Sequence, residues 1–222
     1  MTSPIKLNFK SEWLSLSLII ISLFIGYYFF QHFPARVPSH WNINGEVDGY
    51  SGKFWGAFMI PFMMVGMYLL FLVLPYFDPK KDQYVDFAGV YHKFKDLIVT
   101  FLFILFSLTG LNGLGYKIDI GFYIPLMVGM MFVILGTLLK NLKMNWFLGI
   151  RTPWTMSSET VWNKTHELSS RVLTISGLLM AATVLVSVKF KIALFILAIA
   201  LLVFGLPVYS YILYAKERKA KK

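Results

Sequence analysis

Residues 120–139 read IGFYIPLMVGMMFVILGTLL, a run without a single charged side chain. An α-helix rises about 1.5 Å per residue, so about 20 apolar residues cross the hydrocarbon core of a bilayer. The same character recurs in five other segments, namely Trp13–Gln31, Phe54–Phe77, Leu97–Tyr116, Val172–Val188 and Ile192–Ala215. One such run could be the core helix of a soluble domain, but six could not. We therefore expect an all-α polytopic membrane protein with six transmembrane helices.

The composition supports a membrane protein and excludes several other classes. Hydrophobic residues make up 57% of the 222 residues and charged residues only 14%, whereas soluble domains are about 45–50% apolar. The chain has no Cys, which excludes disulfides, thiol catalysis and thiolate metal sites. The net charge of +10 is scattered between apolar runs instead of being gathered on one face, so direct binding of nucleic acid is not expected.

The distribution of Lys and Arg predicts the orientation in the membrane. Of the 21 Lys and Arg residues, 16 fall in the N-terminal segment, the loops 78–96 and 140–171 and the C-terminal tail, and 5 fall in the remaining connections. Cytoplasmic segments carry the excess of positive charge. We expect both termini and the loop 140–171 in the cytoplasm, and the loop 32–53 outside.

Polar residues are rare inside the predicted spans. None of the six contains Asp, Glu, Lys or Arg, although ion-coupled transporters usually place ionisable residues there. The most polar intramembrane residue is Asn112, for which we expect a hydrogen bond to another helix.

The outer loop contains two strong turn signals. Residues 38–53 read PSHWNINGEVDGYSGK, with the dipeptides Asn44-Gly45 and Asp48-Gly49, which predict a hairpin or a double turn. A calcium-binding EF-hand loop is excluded because its twelfth position is Trp55 and not Glu. We expect no metal and propose the loop as a recognition surface. Its candidate residues are His40, Trp41, Asn42, Gly45, Asp48, Tyr50 and Lys53.

The first inner loop, residues 78–96, carries aromatic residues at helical spacing. Tyr84, Phe87, Tyr91 and Phe94 lie at positions i, i+3, i+7 and i+10, which places them on one face of a helix. The segment is also rich in Lys, so the pattern predicts a short amphipathic helix lying on the inner surface of the membrane.

The second inner loop contains residue types that suggest catalysis in a spacing that does not. Pro153 interrupts helical structure there, and Ser157 or Ser158 can cap a new helix that runs through His166. Ser157, His166 and Glu167 match no triad spacing, and the residue four positions after His166 is not a second His. We expect no catalytic residue and no cofactor. The candidate residues of this inner motif are Asn145, Gly149, Arg151, Thr152, Pro153, Trp154, Ser158, Glu159, Trp162 and His166.

Three blocks of residues resemble the SdpI immunity-protein family of bacterial membrane proteins. The first is PSHWN at 38–42 with Gly45, Asp48-Gly49-Tyr50 and Lys53; the second is DPKK at 78–81 with Tyr84, Phe87 and Tyr91; the third is NWFLGIRTPWT at 145–155, followed by Ser158-Glu159, Val161-Trp162, Lys164-Thr165-His166 and Arg171. The resemblance covers most of the chain and implies a multi-pass protein of the bacterial plasma membrane.

It also implies three segments before a basic tail at 216–222: an N-terminal family domain at 13–65, a linking region at 66–119 and an SdpI-type domain at 120–215.

The resemblance further implies immunity to a secreted killing peptide. The peptide would meet the outer loop, and the inner face would hold an ArsR-type repressor at the membrane. Two other hypotheses remain open from the residues alone. One is a transporter of small molecules or lipids that uses the proline-containing spans; the other is a membrane enzyme that uses the loop 145–167.

Overall fold

The computed structural model describes residues 5–220, so Lys221 and Lys222 of the predicted tail lie outside the described residues. In chain order its elements are α1 (Phe9–His32), β1 (Arg36–Trp41), β2 (Val47–Gly52), α2 (Lys53–Phe77), a 3₁₀ turn (Lys81–Gln83), α3 (Tyr84–Gly113), α4 (Ile120–Leu139), α5 (Pro153–Ser157), α6 (Glu159–Ala182), a 3₁₀ turn (Thr183–Leu185), α7 (Val188–Ala200), a π-helical segment (Leu201–Gly205) and α8 (Leu206–Ala220).

Six helical segments are long and apolar enough to cross a membrane, as the hydropathy pattern predicts. They are Phe9–His32, Lys53–Phe77, Lys81–Gly113, Ile120–Leu139, Glu159–Leu185 and Val188–Ala220. The predicted all-α polytopic architecture is confirmed. The helices extend past the apolar runs because polar caps hold their ends: the side chain of Asn8, for example, accepts a hydrogen bond from the backbone N–H of Ser11 at the start of α1.

The chain divides into two compact units. Unit 1 comprises residues 74–91 and 128–220 with residues 5 and 6, and unit 2 comprises residues 7–73 and 92–127. The core of unit 2 contains two clusters of buried hydrophobic residues from α1 and the residue that follows it, α2, α3 and β1. The first cluster is Ile19, Met64, Tyr68, Val99 and Leu102; the second is Phe29, Phe33, Val37, Ala57 and Phe106.

Within unit 1, glycines bring α4 and α6 into close contact. A Cβ atom built on Gly129 would lie 2.5 Å from the carbonyl oxygen of Gly177, and the reciprocal distance is the same. Further along α4, a Cβ on Gly136 would lie 2.5 Å from the hydroxyl of Thr174. Small residues at such positions allow membrane helices to pack with their backbones nearly touching.

The last span changes its winding before a proline. Between α7 and α8, residues Leu201–Gly205 form a π-helical segment, and the backbone N–H of Leu206 donates to the carbonyl of Leu201. Pro207 follows at once and has no N–H with which to continue the α-helical ladder. The π spacing therefore accommodates the missing donor within a continuous span.

Two sequence expectations are wrong. The aromatic stripe does not lie on the membrane surface: Tyr84, Phe87 and Tyr91 are each at most 2% exposed, and their segment continues into the third span through a kink at Phe87. Large rings can be buried by protein as readily as by lipid, and the helical spacing alone does not distinguish the two. Asn112 does not bond to another helix but donates to the carbonyl of Ile118 in the loop after α3.

Candidate functional site

The loop after α4 is shaped by a buried asparagine. Asn145 is 0% exposed, and its side-chain oxygen accepts hydrogen bonds from the backbone N–H groups of Phe147 (2.9 Å) and Leu148 (2.6 Å). Its amide nitrogen donates to the carbonyl oxygens of Lys143 (2.9 Å) and Leu148 (3.1 Å). An asparagine side chain that bonds its own neighbouring backbone stands in for a regular turn, so Asn145 determines the path of the chain into Gly149.

Gly149 packs so closely against the ring of His166 that no larger residue fits at this position. Gly149 has φ +104°, and a Cβ atom there would lie 2.3 Å from Nε2 of His166. That nitrogen accepts a hydrogen bond of 3.0 Å from the backbone N–H of Ile150. The other ring nitrogen, Nδ1, lies 2.9 Å from the carbonyl oxygen of Trp162. Because Nε2 accepts, Nδ1 carries the proton and donates, so His166 is a neutral imidazole that joins α6 to the loop.

Trp162 holds the other end of the same loop. Its indole is 0% exposed, and Nε1 donates a 2.9 Å hydrogen bond to the carbonyl of Leu142. The indole ring also stacks on the His166 ring at a centroid distance of 4.0 Å. A buried Trp needs a partner for its N–H, and here the partner is the backbone where the loop begins.

The short helix α5 was not predicted, although the sequence contains its capping signal. Thr152 and Thr155 form a capping box in which each hydroxyl accepts from the other's backbone N–H, and Pro153 occupies the first turn. The Thr152 hydroxyl also lies 3.0 Å from the hydroxyl of Ser210 in α8. Thr155 and Ser210 were both absent from the predicted site; the T-P-x-T spacing could have indicated Thr155, but no sequence signal indicated Ser210.

Ser158 begins α6 and contacts the last helix. Its hydroxyl accepts from the backbone N–H of Val161 at 3.3 Å and donates to the carboxylate of Glu217 at 2.6 Å. The capping residue is therefore Ser158 and not Ser157. Trp154 adds an aromatic contact to the same helix, with its ring 5.1 Å from that of Tyr211.

A buried carboxylate joins the second sequence block to the third. Asp78 is 2% exposed and accepts hydrogen bonds from the hydroxyl of Tyr84 (2.8 Å) and from the backbone N–H groups of Lys80 (2.7 Å) and Trp146 (2.8 Å). The guanidinium of Arg151 donates to the carbonyl of the same Trp146. We call Asp78, Asn145, Gly149, Trp162 and His166 the motif centre.

The predicted outer loop is a β-hairpin, which confirms one of the two predicted arrangements. Strands β1 and β2 pair antiparallel, and Gly45 has φ +82° in the turn between them. Asn42 organises this turn, because its side-chain oxygen accepts from the backbone N–H groups of Asn44 (2.9 Å) and Glu46 (3.1 Å). The dipeptide Asp48-Gly49 is not a second turn but part of β2.

The remaining hairpin candidates are exposed or half-buried. The ring nitrogen Nδ1 of His40 pairs with the carboxylate of Asp48 across the strands. The ring of Tyr50 is exposed, and the guanidinium of Arg36 lies 5.0 Å above it. Trp41 is half-buried, and Lys53, the first residue of α2, lies 5.1 Å from the ring of Phe30.

Both ends of the hairpin are fixed to helices of unit 2. At the base, Val37 is 2% exposed, and Cβ atoms built on Gly56 and Gly113 would lie 3.0 and 2.9 Å from its side chain. At the tip, a Cβ on Gly45 would lie 2.9 Å from the backbone of Gly121. The hairpin is thus packed against helices at its base and at its tip.

Comparisons with known proteins match the segments that contain the motif centre and the hairpin. The sequence model of the SdpI/YfhL protein family matches residues 141–211, the segment that contributes most of the motif centre. A domain of unknown function, DUF1648, matches residues 17–65, which include the hairpin. The chain is 28% identical over 204 residues to the immunity protein SdpI of Bacillus subtilis (strain 168), covering 91% of this chain and 96% of the relative.

The chain is similar to the SdpI family. It is a multi-pass bacterial membrane protein, and the resemblance based on the three sequence blocks is confirmed. No solved structure matches it.

The residues considered for catalysis do not come together in this chain. The hydroxyl of Ser157 donates to the carbonyl of Pro153, and Glu167 pairs with Arg171 at 3.0 Å. Both ring nitrogens of His166 are occupied by backbone groups. Among residues 5–220 there is no group of three His, Asp or Glu residues that could hold a metal ion.

A buried ion pair in unit 2 was missed by the sequence analysis. Lys95 is 1% exposed, and its ammonium donates to the carboxylate of Glu12 at 2.5 Å and to the carbonyl of Ser11 at 2.8 Å. The hydroxyl of Tyr68 donates to the same carboxylate at 2.9 Å. Lys95 had been assigned to the polar loop 78–96, and nothing in the local pattern links it to Glu12, which lies 83 residues earlier.

Proposed function

We propose that this chain is an SdpI-like immunity protein that protects a bacterial membrane against a secreted antimicrobial peptide, by binding and signalling and not by enzymatic chemistry. The observation that carries the proposal is the relationship to the immunity protein SdpI, which runs through 91% of this chain and 96% of that protein. An alignment of this extent includes the spans, the hairpin and the motif centre together.

The proposal assigns different tasks to the two sides of the membrane. In it the hairpin faces outside and meets the peptide, and the motif centre faces the cytoplasm, as the excess of Lys and Arg in the inner loops favours. The exposed basic residues of that face, among them Lys164, Lys216 and Arg218, would hold an ArsR-type repressor. A receptor of this kind needs no catalytic group. This is consistent with His166, because both of its ring nitrogens form hydrogen bonds with backbone groups.

A protection assay tests the function. A bacterium sensitive to membrane-active killing peptides is made to express the chain and is challenged with a panel of such peptides. We expect the inhibitory concentration of at least one peptide to rise severalfold relative to cells expressing an unrelated six-span protein at the same level. If the chain accumulates in the membrane and protects against none of them, the proposal is wrong.

A labelling experiment tests the orientation, and the absence of Cys makes it direct. Single cysteines replace Asp48 in the hairpin and Glu159 at the start of α6, two positions whose side chains are exposed. A membrane-impermeant thiol reagent added to intact cells should label the first and spare the second. Labelling of both from outside would contradict the two-sided arrangement.

The repressor is tested separately from protection. A fluorescent ArsR-type repressor is expressed with the chain, and its location is recorded before and after the protective peptide is added. We expect recruitment to the membrane only with the peptide. Protection without recruitment would leave immunity standing and remove the signalling role.

A further inference from the structure

The hairpin is attached to the ends of helices both at its base and at its tip. At the base, Val37 packs against Gly56 in the first turn of α2 and against Gly113, the last residue of α3. At the tip, a Cβ atom on Gly45 would lie 2.9 Å from the backbone of Gly121, the second residue of α4. Both ends of the hairpin therefore lie at the level of the helix ends, and the two strands run across them.

The length of α4 determines how deep the hairpin tip lies. This helix has 20 residues and no charged side chain, so it is about 30 Å long, and the hydrocarbon core of a bilayer is also about 30 Å thick. A span with no length to spare must place its first turn at the edge of the hydrocarbon. Asp119 caps this turn on the water side, because its carboxylate accepts a 3.0 Å hydrogen bond from the backbone N–H of Phe122. Gly45, which touches Gly121, therefore lies at the boundary between headgroups and hydrocarbon.

The turn at the tip contains an exposed apolar residue. The carbonyl of Asn42 accepts a 2.8 Å hydrogen bond from the N–H of Gly45, so Ile43 and Asn44 are the central residues of a β-turn. Such positions favour Gly, Pro, Asn, Asp and Ser, yet Ile43 is 54% exposed. The next residue touches α4, because the carbonyl oxygen of Asn44 would lie 3.3 Å from a Cβ atom on Gly121. The side chain of Ile43 is thus held one residue away from a contact with the first turn of α4.

The first turn of α4 presents apolar side chains at the same depth. Phe122 and Tyr123 are 39% and 41% exposed, and aromatic rings are enriched where a span meets the membrane surface. The carboxylate of Glu46 is the acidic group of the turn itself, and it accepts a 2.9 Å hydrogen bond from the side-chain amide of Asn42. Ile43 therefore continues a surface that already faces lipid.

We propose that the hairpin tip is a membrane anchor, in which Ile43 inserts into the edge of the hydrocarbon beside Phe122 and Tyr123. The hairpin then lies along the membrane surface instead of projecting into water. The partner of this apolar patch is the phospholipid that surrounds α4. Because the contact is made by uncharged side chains, it places no requirement on the charge of the lipid headgroup.

The alternation of exposure along β2 is consistent with a hairpin that lies flat. Asp48 and Tyr50 are exposed, whereas Val47 and Ser51 are partly buried, so one face of the strand is covered by protein and the other is open. The inference does not rest on the proposed function. A hairpin can be anchored in lipid on either side of the membrane, whether or not the chain confers immunity.

Quenching by brominated lipid tests the anchor, and the absence of Cys makes labelling of single sites direct. The same small fluorescent label is attached in three variants: Ile43→Cys at the tip, Asp48→Cys on the open face of β2, and Met130→Cys in α4. Met130 is 57% exposed and lies about 15 Å along α4 from its first residue, near the middle of the bilayer. Each protein is placed in nanodiscs of phosphatidylcholine that is brominated either near the headgroup or near the ends of the acyl chains, and iodide is the quencher in water.

We expect the lipid brominated near the headgroup to quench the label at position 43 severalfold more strongly than the label at position 48. Iodide should give the reverse order, and the label at position 130 should respond most to the lipid brominated near its chain ends. Equal responses at positions 43 and 48 to lipid and to iodide would overturn the proposal. A label at position 43 that neither quencher reaches would also overturn it, because the patch would then be covered by a second copy of the chain.

Hydrogen exchange in nanodiscs provides a second test without a label. Ile43→Asp places a charge at the edge of the hydrocarbon and should release the tip, so the backbone N–H groups of Asn44 and Gly45 should exchange severalfold faster. Asp is itself favoured in turns, so faster exchange would not arise from a weaker turn. The control is Ile43→Leu, which keeps an apolar side chain and should exchange at the original rate. Equal exchange in the two variants would show that the tip is not anchored.

Discussion

The motif centre and the hairpin are both built around an asparagine and a left-handed glycine, yet they end in opposite states. Asn145 and Gly149 lead into a buried centre where Asp78, Trp162 and His166 use their polar atoms on the backbone. Asn42 and Gly45 lead into a hairpin on which Asp48 and Tyr50 are exposed. The same turn chemistry therefore serves a closed structural centre in unit 1 and an open surface in unit 2. We expect substitutions in the first to change stability and substitutions in the second to change binding.

The largest effect is expected at Gly149. In Gly149→Ala the methyl group meets Nε2 of His166 at 2.3 Å, and the backbone keeps a φ of +104°, so we expect a loss of about 3 kcal/mol or more in the free energy of unfolding. Thermal unfolding of the detergent-purified protein measures it. The control is Gly115→Ala, which has φ +94° but no atom within 4 Å of the new methyl group and should lose about 1 kcal/mol. Equal losses would mean that the contact with His166 is not tight.

The next effect is expected at Asp78. Asp78→Asn replaces an acceptor of three hydrogen bonds by a side chain whose amide nitrogen can only donate. We expect a loss of about 2–3 kcal/mol, read from the same unfolding curves. Asp82→Asn removes a carboxylate from an exposed residue four positions later and should change stability by less than about 0.5 kcal/mol. An unchanged melting temperature for Asp78→Asn would mean that the hydrogen bonds of Asp78 do not stabilise the motif centre.

A smaller difference is expected between two basic residues of the same loop. Arg151→Ala removes the guanidinium that donates to the carbonyl of Trp146, whereas the exposed Lys143 contributes only a backbone carbonyl to the bonds of Asn145. We expect a loss of about 1 kcal/mol for Arg151→Ala and almost none for Lys143→Ala. Equal expression and equal melting of the two variants would refute this expectation.

The smallest effect on stability is expected in the hairpin. Asp48→Asn alters an exposed pair with His40, so the free energy of unfolding should change by less than about 0.5 kcal/mol. The same variant should lose part of its protection in the killing-peptide assay. A clearly lower melting temperature, or full protection against the killing peptide, would contradict the contrast between a closed motif centre and an open hairpin.

Local features of the structure could be predicted from the sequence, and contacts between distant segments could not. Hydropathy indicated all six spans, Asn44-Gly45 indicated the hairpin, and a capping serine before Glu159 indicated the start of α6. The hydrogen bond of Asp78 to Trp146 joins residues 68 positions apart, and that of Lys95 to Glu12 joins residues 83 apart. No periodic pattern indicates such pairs, and the sequence alone therefore places Lys95 in a solvated loop.

The contacts of α8 with the loop 140–158 have a consequence for biogenesis. The hydroxyls of Thr152 and Ser158 meet Ser210 and Glu217, which follow them by 58 and 59 residues. The chain is synthesised from its N-terminus, so these two partners emerge only after the loop 140–158 has already been made. The loop 140–158 can therefore reach its final form only once the last span has been made, and a ribosome that stops before residue 210 releases a protein in which this loop lacks its contacts with α8.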